Sequence, residues 1–250
     1  MSQVSAALAT MFEKGFVIDR KGQRRSIRDS AISEEEAAVL SKVIIDIKAT
    51  VTLETGVAFG ASTLAICTAK LVNNGKDRMH FGVDPNQHDF YCDAAIVSLE
   101  NVGLESEFTL LNGPSHMMIP DLIENNTVLD FAFIDGWHTP DYTLIDFFLV
   151  DKMLRQGGIV AFHDMHSPSK QKVLRFILRY RRYSVQKQYR VKGNETRIRT
   201  LKFFLWRIYK NPILLFSWYH WTYQLRNSSG LIVLKKEETY EPNYDFFKNF

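Results

Sequence analysis

The sequence predicts an α/β protein built on an open, doubly wound, mostly parallel sheet. Three observations carry that reading. From residue 50 onward, short β-branched or aromatic runs alternate with helical stretches, which calls for parallel strands joined by right-handed crossovers. Five successive strands each end in a polar residue or a glycine, the pattern of a sheet edge that binds a ligand. The last two strands have no compact crossover between them, so they read as an adjacent antiparallel pair around an insertion.

The elements follow in order. The first fifty residues (1–49 taken as an N-terminal segment) read as polar and helical. Ser33 before Glu34, Glu35 and Glu36 resembles a helix start, with a hydroxyl cap and carboxylates near the positive end of the dipole. Ala37, Leu40, Ile44 and Ile47 then recur at helical spacing. Residues 50–54 (TVTLE) read as the first strand, and 61–71 as a helix entered through Gly56 and Gly60. Strands follow at 80–84, 107–111, 128–135 and 158–164, with helices at 89–102, 117–124, 142–154 and 170–182. Residues 184–191 and 230–234 complete a set of seven strands.

Composition sets bounds. The chain has 250 residues, 46% hydrophobic and 24% charged, which suits a folded α/β domain spanning residues 50–250. Cys67 and Cys92 are too few for a disulfide framework and too isolated for a zinc site, so a reducing, cytoplasmic setting is expected. The N-terminus lacks a basic start and a long apolar run, which argues against a secretory signal. The apolar stretch 201–223 is broken by Arg207, Lys210 and Pro212 and is not expected to cross a bilayer. A net charge of +3 is too small to indicate nucleic acid, and no recognition motif accompanies the basic run from Lys170 to Arg207.

The polar strand ends are Glu54, Asp84, Gly113 (just past the third strand), Asp135 and His163-Asp164. The first lies in the run Leu53-Glu54-Thr55-Gly56-Val57-Ala58-Phe59-Gly60-Ala61-Ser62. Glycines here allow a sharp turn and close approach of a ligand, and the helix that follows offers unpaired N–H groups. A dinucleotide site favours Gly-x-Gly-x-x-Gly. This sequence has Gly-x-Ala-x-Gly with a carboxylate two residues before it, which would repel a pyrophosphate and suit a cationic ligand. That favours a sulfonium-bearing amino-acid cofactor over a nicotinamide one. A plain strand-to-helix turn is the competing reading, and Asp84 weighs against it, because an acid at the next strand end can accept from both ribose hydroxyls.

At this point a family resemblance is visible. LETGVAFGASTLAI resembles the first motif of small-molecule O-methyltransferases of the class I S-adenosylmethionine-dependent superfamily, and GVD resembles the second. FIDGWHTPDY and LRQGGIVAFHD resemble the fourth and fifth strands of the catechol and caffeoyl-CoA types, and more so a bacterial family carrying FIDG-x-H and HD. The similarity spans residues 33–182 and the last strand. It implies a Rossmann-like sheet in the order 3-2-1-4-5-7-6 with strand 7 antiparallel. It also implies that Glu54, Gly56, Ala58, Gly60 and Ser62 hold the methionine part and its turn. Asp84 would then bind the ribose, Gly113 and Ser115 would lie by the adenine, and Asp135 between cofactor and acceptor.

Methyl transfer needs the acceptor aligned and its proton removed. His138, where metal-dependent relatives carry a lysine, is the expected base, since imidazole titrates near neutrality. By resemblance, Asp135, His163 and Asp164 stand where those relatives hold magnesium. A histidine in the set suits manganese, iron or zinc better than magnesium, and His163 is equally readable as a second base paired with Asp164.

The insertion 192–229 is rich in aromatic and basic residues. It reads as a lid or acceptor platform, a peripheral membrane contact through 199–223, or a hairpin packed on the core or on a second subunit of a homo-oligomer. The expected partner is a small-molecule acceptor. Two other function classes compete: a nucleotide-dependent oxidoreductase on the same sheet, and a non-catalytic cofactor-binding protein.

Overall fold

The computed structural model describes residues 3–28, 30–73, 78–165, 167–191, 205, 206, 208, 209, 212 and 230–248. Helix α1 (Gln3–Lys14) leads into a small hairpin, β1 (Phe16–Ile18) and β2 (Arg24–Ser26), and then α2 (Glu34–Asp46). The main sheet follows as β3 (Val51–Thr55), α3 (Ala61–Lys70), β4 (Met79–Val83), α4 (Ala94–Glu100), β5 (Phe108–Leu111), α5 (Ser115–Glu124) and β6 (Leu129–Ile134). It continues through α6 (Pro140–Met153), β7 (Leu154–Phe162), α7 (Pro168–Tyr180), β8 (Tyr183–Val185) and β9 (Ile232–Lys236).

The seven strands lie in the order β5-β4-β3-β6-β7-β9-β8. Pairings from β5 to β7 are parallel, and β9 runs antiparallel to both β7 and β8. This is the order 3-2-1-4-5-7-6 that the resemblance implies, with the last strand reversed.

Strand periodicity explains the layers. Successive side chains face opposite sides of a sheet, and here both sides are apolar. Phe131, Phe133, Ile159, Ala161 and Val233 pack with α2 and α3 on one face. Leu53, Ala132, Ile134, Val160, Phe162 and Leu234 pack with α5, α6 and α7 on the other. The largest of these, such as Phe131 and Phe133, are wholly buried and each stabilises the fold by about 2–3 kcal/mol. The N-terminal segment shares the first core: Met11, Val17, Ile27 and Leu40 belong to the cluster that contains Leu64 and Ile66.

Several elements differ from expectation. The first fifty residues are not all helical, because β1 and β2 form an antiparallel hairpin. The expected helix at 89–102 is cut to Ala94–Glu100, since Cys92 and Asp93 take left-handed φ values of 47° and 56° that a helix does not allow. The sixth strand ends at Val185 and gives way to a short 3-10 turn at Lys187–Tyr189. Most of the insertion 192–229 lies outside the described residues. Its flanks are described, and both sit at one end of the sheet. Ile232 at the start of β9 pairs with Phe162 at the end of β7, and Gln186 donates to Val233 just after β8.

Candidate active site

The parallel ladder brings the strand ends together. Beyond the strands themselves, backbone bonds run from Asp84 N–H to Leu111 (3.2 Å), Gly56 to Val83 (2.9 Å), Asp135 to Thr55 (2.9 Å) and His163 to Ile134 (3.1 Å). Each strand-end residue is thus anchored to its neighbour. Asp84, Gly56, Asp135 and His163 form one continuous row along the C-terminal edge, where open sheets bind ligands.

The turn after β3 is shaped by left-handed residues. Gly56, Ala58 and Gly60 have φ of 86°, 47° and 85°. A Cβ on Gly56 would stand 2.2 Å from the Asp135 carbonyl oxygen, and one on Gly60 2.7 Å from Ala95 Cβ. Only glycine fits either place. Ala58 tolerates its φ with a small side chain. Asp84 braces the turn from below: its Oδ2 accepts from the N–H groups of Val57 (3.1 Å) and Ala58 (2.8 Å), and its Oδ1 from Asn86 N–H (2.8 Å). A carboxylate offers about four acceptor positions, so Oδ1 keeps room for a hydroxyl. Tyr91 packs edge-on against Phe59, with ring centroids 4.9 Å apart. Burial first, and then the charges of Asp84 and Asp135, push its phenol pKa up.

Three expected binding side chains are committed inward instead. Glu54 is fully buried on the α3 face of the sheet. Its oxygens accept from Ser62 Oγ (2.6 Å), from Thr63 Oγ1, and from His80 Nε2 (3.1 Å). A buried carboxylate requires such donors, and β3 places Glu54 under the first turn of α3, where Ser62 and Thr63 supply them. Burial lowers the His80 pKa, which keeps the ring a neutral donor. Glu54 and Ser62 therefore hold the turn to α3 from behind. Ser115, buried at the start of α5, donates to Asp146 of α6. Gly113 keeps a close approach, since a Cβ there would meet Met118 at 2.9 Å.

At the other end of the row, His163 lies between two acids. Its Nδ1 is 3.0 Å from Asp135 Oδ1, and its Nε2 is 3.3 Å from Glu36 Oε2. Both ring nitrogens face carboxylates, so both carry protons. Burial pulls the His163 pKa down, yet the charges and hydrogen bonds of Asp135 and Glu36 outweigh it and hold the group well above the usual histidine range. Burial would raise the Glu36 carboxyl, but His163 and Ser33 hold it down at about 2. Burial raises the Asp135 pKa, His163 opposes this, and Asp164 adds to it. In this arrangement both ring nitrogens of His163 are committed to carboxylates.

His138 is the available imidazole. Its side chain is 63% exposed, and its Nδ1 lies 3.2 Å from Asp164 Oδ2. Asp164 is nearer to His138 than to His163, whose Nδ1 is 3.8 Å away. His138 Nδ1 thus stands between the Asp164 carboxylate and the Lys170 ammonium, and the tautomer of the ring decides which of the two it pairs with. Lys170, from the first turn of α7, reaches in beside this pair. Its ammonium donates to the His163 carbonyl (3.1 Å) and lies 3.5 Å from His138 Nδ1. Of the expected donor set, His163 Nδ1 lies 3.0 Å from Asp135 Oδ1 and 3.8 Å from Asp164 Oδ1. Donor atoms of Asp135, His138 and Asp164 also lie within 4.8 Å of one another.

Sequence reasoning missed Glu36, Lys170 and Tyr91 as site residues. The capping box, in which Glu36 accepts from Ser33 N–H (2.9 Å) while Ser33 caps Glu36, was visible as a Ser-x-x-Glu pattern. Nothing local to Glu36 points to a histidine 127 residues away. Lys170 read only as part of a basic run.

An open sheet in this order, with its last strand reversed and a glycine turn after the first, is the class I methyltransferase fold. Residues 53–165 match the family model of a methyltransferase domain. That match sets aside the oxidoreductase reading. Similar solved structures share the fold. The O-methyltransferase TomG from Streptomyces achromogenes, involved in tomaymycin synthesis and solved in complex with SAM, superposes with a TM-score of 0.63 at 13% identity, over 95% of this chain and 91% of that one. Cofactor-bound Rv0187 from MTB gives 0.62 at 13% identity with the same coverage. An O-methyltransferase from Bacillus cereus in complex with SAH gives 0.55 at 18% identity, over 74% of this chain and 83% of that one. Among the described residues, no helix is long and apolar enough to cross a membrane.

Proposed function

We propose that the protein transfers the methyl group of S-adenosylmethionine to a hydroxyl of a small or medium-sized metabolite. The observation that carries this reading is the His138–Asp164 pair, open to solvent at the sheet edge beside the glycine turn. Gly56, Ala58 and Gly60 shape the left-handed turn after β3, and Asp84, whose Oδ1 accepts only from Asn86 N–H among the described residues, would take a ribose hydroxyl beside it. The TomG and Bacillus cereus structures, of the same fold, bind SAM and SAH. When bound, the cofactor supplies a methyl group already activated by a sulfonium.

The chain's own task is to place the acceptor and take its proton. His138 Nε2 receives the hydroxyl proton, and Asp164 fixes the tautomer and stabilises the imidazolium that results. Asp135 is positioned by His163, which Glu36 holds from its other ring nitrogen, so that its second oxygen can face the ligands. The insertion 192–229 belongs to acceptor recognition in this reading. In support, both its flanks stand at the ligand edge, and Met165 N–H donates to the Gly230 carbonyl (2.9 Å). Cys67 and Cys92, buried and unpaired, fit a reducing cytoplasmic setting.

The test is transfer of isotopically labelled methyl from S-adenosylmethionine to a panel of hydroxylated small molecules. Label recovered as a methyl ether supports the reading. Label recovered on nitrogen, or none above the His138→Ala background, would overturn it.

A further inference from the structure

The carboxylates at the end of β6 and β7 come with their own positive charges. Asp135 is paired with the His163 imidazolium. Lys170 is 2% exposed; burial lowers its pKa, and the charges of Asp135, Asp164 and Asp146 oppose that shift. The Nζ position is fixed by the His163 carbonyl at 3.1 Å and by His138 Nδ1 at 3.5 Å. It therefore stands against the cluster formed by Asp135, His138 and Asp164. A divalent cation entering that cluster would meet an ammonium within a few ångströms of its histidine ligand, in a partly buried setting where like charges repel strongly. An ion bound through Nδ1 would also have to displace the Asp164 carboxylate, 3.2 Å from that nitrogen. These residues do not fit a divalent ion.

We propose that Lys170 supplies, from within the chain, the positive charge that this carboxylate cluster would otherwise draw from a divalent metal, so that the site works without one. Lys170 is a positioning residue: it sets the field on Asp135 and Asp164 and so holds the His138–Asp164 pair in place. The proposal deepens the methyl-transfer reading and rests on it for its role in turnover, but its first test does not need turnover.

That test is Mn2+ titration of the full-length protein, followed by electron paramagnetic resonance of the free ion. The wild type is expected to leave Mn2+ unbound up to millimolar concentration. Lys170→Met removes the ammonium while keeping the volume, and is expected to tighten Mn2+ binding by about tenfold or more. Lys170→Arg keeps the charge and is expected to behave as the wild type. Reversal of the gain in a Lys170→Met/Asp164→Asn double variant would locate the ion. Micromolar binding by the wild type that is lost in Asp164→Asn would overturn the proposal, as would a folded Lys170→Met protein with unchanged Mn2+ binding. If Lys170→Met does not fold, Lys170→Gln takes its place, and the wild-type titration decides if neither folds. S-adenosylhomocysteine binding, measured on the same samples, tests the methyl-transfer reading separately.

Discussion

His138 Nδ1 lies 3.2 Å from Asp164 Oδ2, with the Lys170 ammonium 3.5 Å from the same nitrogen. His138 and Asp164 come from the loop after β6 and the end of β7, brought together by the parallel pairing of those strands. His138→Ala is expected to slow methyl transfer by about 10²–10⁴-fold, the usual share of a general base. Cofactor binding should hold, because His138 touches none of the turn residues. Kinetics with the acceptor found by the labelling screen, beside calorimetry with S-adenosylhomocysteine, checks this. Equal loss of both would show that His138 is structural.

The Glu36–His163 pair predicts a pH signature. His163 has a folded pKa well above 6.5, so its contribution to stability is full below pH 6.5 and fades as pH rises through the raised value. Glu36 is lowered from 4.5 to about 2, so its contribution is present above pH 4.5 and lost as pH falls through about 2. The pair is therefore worth most between about pH 4.5 and 6.5. Glu36→Gln should cost on the order of 1–3 kcal/mol in that window and less in alkali. Thermal melts of both proteins across pH give the difference directly. A difference that does not vary with pH would mean that His163 is neutral throughout.

Glu54 predicts a stability effect with no catalytic step behind it. Glu54→Ala strands the Ser62 and Thr63 hydroxyls and His80 Nε2 in a buried site. A loss of about 2–4 kcal/mol is expected. Urea unfolding measures it, and a loss under about 1 kcal/mol would contradict the account of Glu54 as a buried hub.

Much of this was legible in the sequence. The alternation of Phe131 and Phe133 with Ala132 and Ile134 marks a strand buried on both faces, and such runs fixed the strand count and the edge on which Asp84, Asp135 and Asp164 meet. The hairpin at Phe16–Ile18 and Arg24–Ser26 was not legible, because three residues carry no measurable period. The inward turn of Glu54 depends on Ser62 and Thr63 lying directly over it. The role of Glu36 depends on α2 packing near the end of β7. Both are facts of tertiary packing that local pattern does not encode. The same holds for the choice of His138 over His163, which carry the same side chain and differ only in their neighbours.

Gly56 separates strain from collision. Its φ of 86° costs any L-residue about 1–2 kcal/mol. Gly22 has a comparable φ of 76° with nothing within 4 Å of an added Cβ. Gly22→Ala should therefore show the backbone cost alone. Gly56→Ala adds the clash with the Asp135 carbonyl, and should lose at least about 2 kcal/mol more together with S-adenosylhomocysteine binding. Equal effects in the two variants would mean that the turn is not packed against β6 as described.

Calorimetric titration of the purified protein with S-adenosylhomocysteine, beside Asp84→Ala, goes most directly to the claim that the cofactor lies across the strand-end row. Asp84 both braces Val57 and Ala58 and offers Oδ1 to the ribose. Saturable heat is expected from the wild type, with affinity weakened by about tenfold or more in Asp84→Ala. A wild-type protein that gives neither heat nor a thermal shift would contradict it.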